Sequence, residues 1–186
     1  MHYEDYIWDL GGTLLDNYEI STKAFVETLS SFGIKASHDE VYHYLKCSTD
    51  AAIRQFIPEE PRFLPLYKQA EKKQLEHPIL FDGARAILER IVREGSRNFL
   101  VSHRDNQVMS LLDKMAIASY FTEVVTADNG FLRKPDPESF LYLKEKYHIT
   151  NALVIGDREI DSQAGSRAGF ATLLVDGKKS LMEIIK

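Results

Sequence analysis

Cysteine is nearly absent from this chain: among 186 residues there is one, Cys47. That excludes an intrachain disulfide framework and a multi-cysteine metal site, and it fits a reducing compartment. Long apolar runs are missing too, and no stretch approaches the roughly 20 residues that a membrane-spanning helix requires. The opening residues, Met1-His2-Tyr3-Glu4-Asp5, lack the basic, apolar and small-residue regions of a secretion signal. A cytoplasmic protein with no membrane partner is the expectation. An excess of positive charge is also lacking, with 23 Lys and Arg against 28 Asp and Glu. The net charge of −5 argues against nucleic acid as the main partner, because binding a phosphate backbone over a broad surface needs a basic face. A small cationic pocket for one phosphate remains compatible with that balance. Repeats and low-complexity tracts are lacking, and oligomeric state has no sequence signal.

What is present suits a compact core with a modest insertion: 44% of residues are hydrophobic and 27% charged. Short apolar runs at 6–10, 98–101, 152–155 and 171–175 read as buried strands, with a weaker one at 123–126. Most are near-continuous rather than alternating, as expected for a sheet covered on both faces. Helical rhythm separates them. Residues 84–94 place Ala84, Ile87, Leu88 and Ile91 at i, i+3, i+4, i+7 and stop at Gly95, and 108–115, 137–147, 160–168 and 180–185 read similarly. Alternating strands and helices predict an α/β fold with a doubly wound parallel sheet. Residues 17–77 break the alternation with helical periodicity alone, punctuated by Gly33, Pro58, Pro61 and Pro65. They predict a helical insertion after the first strand, leaving 1–16 and 78–186 as the core domain.

Ligands of open parallel sheets bind beyond the carboxyl ends of the strands. The first strand, in "YIWDLGGTLLD", delivers Asp9 followed by Gly11, Gly12 and Thr13. The second delivers Ser102 and His103; Lys134 follows the third, and the fourth delivers Gly156-Asp157 with Asp161 four residues on. Few carboxylates with room for water suit Mg²⁺. A lysine and a hydroxyl can hold phosphoryl oxygens, a carboxylate can attack phosphorus, and glycines let backbone N–H groups approach an anion. Each residue also has an ordinary structural reading: Asp9 and Asp157 as turn residues, Ser102 as a helix cap, Asp161 as a partner of a helix dipole, and Lys134 as a loop lysine. Their ordered arrival at the same end of successive strands favours the chemical reading.

With these residues in place, the sequence resembles the haloacid dehalogenase superfamily. The first family motif, Asp-x-Asp-Gly-Thr, matches residues 9–13 at all but one position. Ser102 matches the second motif, Lys134 in "RKPDP" the third, and the run from Gly156 through Asp157 to Asp161 the fourth. The match spans nearly the whole chain, and the insertion at 17–77 looks like the family's small C1 cap, expected to close over the crevice. The resemblance implies a Mg²⁺-dependent phosphoric monoester hydrolase acting on a small phosphorylated metabolite. Asp9 would be the nucleophile and a metal ligand, joined at the metal by the Gly11 backbone carbonyl and Asp157, with Asp161 in support. Gly12, Thr13, Ser102 and Lys134 would hold the phosphoryl group.

The departure is Gly11, which stands where relatives carry the aspartate that protonates the leaving oxygen and then activates water. General acid–base help is typically worth about 10²–10⁴ in rate, or roughly 3–5 kcal/mol. Alkyl phosphates should suffer most from its loss, and acyl or aryl phosphates less. His103, beside Ser102 and of a type that titrates near neutrality, is a candidate replacement; capping the next helix is its ordinary reading. Lys46, read as part of a loop of the insertion, is a candidate specificity residue and, for a phosphonate hydrolase, a Schiff-base lysine. Cys47 beside it reads as a buried or semi-buried structural cysteine in preference to a catalytic thiol. Trp8, Phe25 and Tyr44 read as packing residues, and Lys72-Lys73 as a solvated helix face. The competing class is a phosphate-binding regulatory or interaction protein with vestigial catalysis.

Overall fold

The computed structural model describes residues 3–185; Met1, His2 and Lys186, and with them part of the acidic N-terminus, lie outside the described residues. Strand β1 (Asp5–Trp8) comes first. Four helices follow: α1 (Asn17–Ser31), α2 (His38–Cys47), α3 (Thr49–Phe56) and α4 (Phe63–Gln74). Then come α5 (Ala84–Arg93), β2 (Arg97–Val101), α6 (Gln107–Lys114) and β3 (Phe121–Val125). The chain ends with α7 (Glu138–Tyr147), β4 (Ala152–Gly156), α8 (Glu159–Arg167), β5 (Ala171–Leu174) and α9 (Leu181–Ile184). The chain divides into two compact units. One joins the N-terminal segment up to Leu15 with everything from Leu80 onward; the other is Asp16–Ile79.

The first unit is a five-stranded sheet in the order β3-β2-β1-β4-β5, parallel throughout. The chain winds outward from β1 in one direction, then returns to add β4 and β5 on the other side. The central strands β1 and β4 are buried along their full length, which explains their unbroken apolar runs, while β5 at the edge is partly exposed. On one face Ile7, Phe99, Val101, Val125 and Val154 meet Phe140 and Leu143 of α7 and Ala164 of α8. Trp8, on the alternate side of β1, donates its indole N–H to buried Asn98 (2.9 Å), whose amide reaches the Leu88 carbonyl of α5 at 3.1 Å. The weak third strand starts earlier than its sequence pattern, because a register shift leaves Thr122 without a partner on β2 and breaks the period.

The second unit is all-helical among its described residues. Its centre is Phe25, whose ring meets Phe63 at 4.7 Å and Tyr67 at 5.1 Å between centroids. Val41, Leu45, Ala52 and Ile57 complete the buried cluster. Helix starts are set by side chains: Asp16 accepts the Glu19 N–H, Ser48 the Ala51 N–H, and Ser37 forms a reciprocal box with Glu40. Pro65 does not interrupt α4. It sits in the first turn, where its missing N–H would have no helical partner. Phe63 and Tyr67 of this helix are buried, whereas Leu66 between them is 46% exposed.

Candidate active site

Registry fixes the geometry. Trp8 stands level with Leu100 of β2 and Ile155 of β4, and the Asp9 N–H still bonds the Ile155 carbonyl at 2.8 Å. Asp9, Ser102 and Asp157 therefore leave three adjacent strands within about one residue of the same line. Beyond Asp9 the chain folds tightly, with Leu14 and Leu15 donating to the Leu10 carbonyl and Gly12 donating to Leu15 at 2.9 Å. Gly12 has φ +86, where side chains are disfavoured, and a β-carbon there would run into the Asp157 carboxylate. A β-carbon on Gly156 would likewise collide with Asp161. Two glycines thus clear the space that two aspartates fill.

Oxygen atoms of Asp9, Asp157 and Asp161 lie within 4.8 Å of one another. Between two of these residues runs Lys134. Its ammonium donates to Asp9 Oδ1 at 2.5 Å and to the Val101 carbonyl at 3.2 Å, and forms an ion pair with Asp161 Oδ1 at 2.5 Å. Asp161 also caps α8, its Oδ2 accepting the Arg158 N–H at 3.1 Å. Burial raises the Asp9 pKa; the Lys134 ammonium opposes that rise and the Asp161 carboxylate adds to it. Ser102 is buried, and its Oγ accepts the Arg104 N–H at 3.2 Å. Thr13 is 1% exposed and its hydroxyl has no hydrogen-bond partner.

His103 does something the sequence did not announce. Its Nε2 accepts the backbone N–H of Lys134 at 2.8 Å. Burial, followed by the positive charges of Lys134, Arg133 and Arg158, lowers its pKa to about 4. Beside it is a cavity of about 240 Å³ walled by His103, Val125, Phe131 and Leu132. Arg133, the unremarked neighbour of Lys134, is thus part of the local field, and its only sequence signal was the doubled basic pair before a proline. The Val101 carbonyl that anchors the lysine had no sequence signal at all.

The structure corrects several readings. The Gly12 N–H, expected to face a phosphate, bonds the Leu15 carbonyl at 2.9 Å, and its missing β-carbon leaves room for Asp157. Lys46 lies in the last turn of α2 instead of a loop, with its ammonium 5.4 and 5.5 Å from the ring centres of Tyr18 and Tyr42. Cys47 is exposed, because the buried stripe of α2 is Val41 and Leu45 and position 47 falls off it. Trp8 and Phe25 are core residues, and Lys72 and Lys73 are exposed. No helix among the described residues is long and apolar enough to cross a membrane.

The donor set fits Mg²⁺. The oxygens are hard, they come from buried strand ends and a helix start, and two of the three carboxylates share one ammonium.

A five-stranded parallel sheet with these four groups at its carboxyl edge defines a haloacid dehalogenase-type hydrolase. The family model "Haloacid dehalogenase-like hydrolase" matches residues 6–175, and the chain belongs to that family. A hydrolase from Streptococcus pneumoniae TIGR4 is 58% identical, with a TM-score of 0.94 over 99% of this chain and 97% of that one. A phosphoglycolate phosphatase from Aquifex aeolicus (strain VF5) is 27% identical, covering 90% of this chain and 82% of its own length. A haloacid dehalogenase family hydrolase from Deinococcus radiodurans R1, solved with bound phosphate and sodium, shares the fold. It is 19% identical, with a TM-score of 0.76 over 91% of this chain and 79% of that one.

Proposed function

We propose that this chain is a Mg²⁺-dependent phosphatase of small phosphorylated metabolites, selective for those whose leaving group departs without a proton. The observation that carries the reading is the buried trio of Asp9, Lys134 and Asp161 at the switch point of the sheet. In this reading Lys134, Ser102 and Thr13 hold the phosphoryl oxygens. The Asp9 carboxylate attacks phosphorus, the bond to the leaving oxygen breaks, and an aspartyl-phosphate forms at Asp9. Water then attacks that intermediate, releasing phosphate and restoring the carboxylate. Asp9, Asp157 and the Gly11 carbonyl, with Asp161 in support, would hold Mg²⁺, which neutralises charge on the phosphoryl oxygens when bound.

Gly11 sets the selectivity, because it carries no group to protonate the leaving oxygen. His103 does not fill the gap: its Nε2 lone pair is already engaged, and with a pKa lowered to about 4 the ring is neutral at pH 7. Acyl, aryl and enol phosphates are therefore the favoured substrates, since their leaving anions are stable unprotonated. The test is a panel of acyl, aryl and alkyl phosphates run with and without Mg²⁺, on the wild type and on Asp9→Asn. Turnover should depend on Mg²⁺, rank acyl and aryl above alkyl, and vanish in the variant. Metal-dependent phosphate binding with no turnover of any member would support a phosphate-binding regulatory protein instead.

A further inference from the structure

We infer that His103 is a positioning residue: its Nε2 accepts the backbone N–H of Lys134 and thereby fixes the lysine whose ammonium holds Asp9. The inference rests on the phosphatase reading for its functional meaning, but its geometry is independent of it.

Lys134 reaches the site from a connection that is exposed at Leu132 and Arg133. The Arg167 guanidinium holds its far side at the Pro135 carbonyl, 2.8 Å away. On the near side, the His103 ring ties the Lys134 amide to the tip of β2, the strand that also offers the Val101 carbonyl to the same ammonium. One strand end thus holds the lysine at both ends, by a ring nitrogen at its main chain and a carbonyl at its side chain. The precision matters because the ammonium serves two carboxylates at once. A shift of about 1 Å in such a group typically lowers turnover on the order of 10²-fold. With Nε2 committed to the Lys134 N–H, no lone pair is free to accept a proton, and giving up the remaining Nδ1 proton would leave an imidazolate. The surrounding charges of Lys134, Arg133 and Arg158 point the same way, since each disfavours an imidazolium.

The neighbouring cavity of about 240 Å³ makes the distinction measurable. In His103→Ala the vacated ring volume joins that cavity, which then has room for an added azole. The expected loss of kcat on an aryl phosphate is about 10–10²-fold. Imidazole and 1,2,4-triazole, which share a ring-nitrogen acceptor but differ greatly in basicity, should then restore activity to similar extents. His103→Gln, whose side-chain carbonyl is also an acceptor, should retain more activity than the alanine variant. Rescue that follows the basicity of the azole, or an alanine variant as active as wild type, would overturn the inference. A second measurement uses the wild type alone. Amide exchange at Lys134 should be slow, and imidazole nitrogen shifts at pH 7 should report a proton on Nδ1 and none on Nε2. A protonated Nε2 would sink the idea even if phosphatase activity were confirmed. Conversely, full hydrolysis by Asp9→Asn would remove the function reading while leaving the exchange and tautomer result intact.

Discussion

Strand β1 carries a buried aspartate at each end, and the two are treated oppositely. Asp5, at the start, is 1% exposed and faces Arg97 in a two-pronged pair, Nε to Oδ1 at 2.6 Å and Nη2 to Oδ2 at 3.0 Å. One guanidinium serves one carboxylate, in the geometry that suits both. Asp9, just past the other end, shares a single ammonium with Asp161, lies close to Asp157, and has its pKa raised by burial. The same strand, residue type and degree of burial give a satisfied pair at one end and a crowded, negative site at the other. Neutralisation left incomplete by the protein is what a divalent cation and a phosphoryl group can exploit. We take the contrast as the mark that separates the functional edge of this sheet from its structural edge.

The contrast can be broken most severely at Asp9. Asp9→Asn should lower phosphatase turnover by about 10⁴-fold or more, as loss of a nucleophile does, while the thermal midpoint stays level or rises because a crowded buried charge is gone. Gly11→Asp comes next. Supplying the missing acid should raise alkyl phosphate hydrolysis by about 10²–10⁴-fold and leave acyl phosphates nearly unchanged; equal gains on both classes would contradict the leaving-group argument. At the other end, Asp5→Asn should cost about 1–2 kcal/mol of stability in urea unfolding, the partly exposed Arg97 softening the loss, with kcat unaffected.

The smallest effect concerns His103 and pH. Its folded pKa of about 4 lies below the ordinary value of 6.5, so the unfolded chain binds a proton over that window and the folded chain does not. The stability it contributes is therefore complete above about 6.5 and lost as pH falls through that value toward 4. His103→Gln should flatten that part of the urea-midpoint profile by about 1 kcal/mol at most, since the ring is partly solvated.

The sheet was legible because burial on both faces writes continuous apolar runs for β1 and β4, and the strand ends then named Asp9, Ser102, Lys134, Asp157 and Asp161 in order. β3 was blurred by the register shift at Thr122, which breaks the spacing on which the pattern depends. Two further features escaped for a different reason. Hydrogen bonds to main-chain atoms carry no residue signature, so neither the Val101 carbonyl on Lys134 nor the Lys134 amide on His103 was readable. That contact is what supports the proposed positioning role of His103 in place of the candidate acid of the sequence reading. The Gly12 contact escaped for a similar reason, because the partner of its N–H is set by how the turn closes on Leu15. Cys47 was misjudged because two residues along a helix from a buried leucine is enough to reach solvent.

The central claim is that Asp9 is the attacking group. Its most direct test is an acid-quenched single turnover of an acyl phosphate with Mg²⁺, followed by peptide mass analysis. The account predicts a phosphoryl group on the peptide carrying Asp9, located at that residue and absent in Asp9→Asn. Rapid hydrolysis with a phosphoryl group on any other residue, or undiminished turnover in Asp9→Asn, would contradict it.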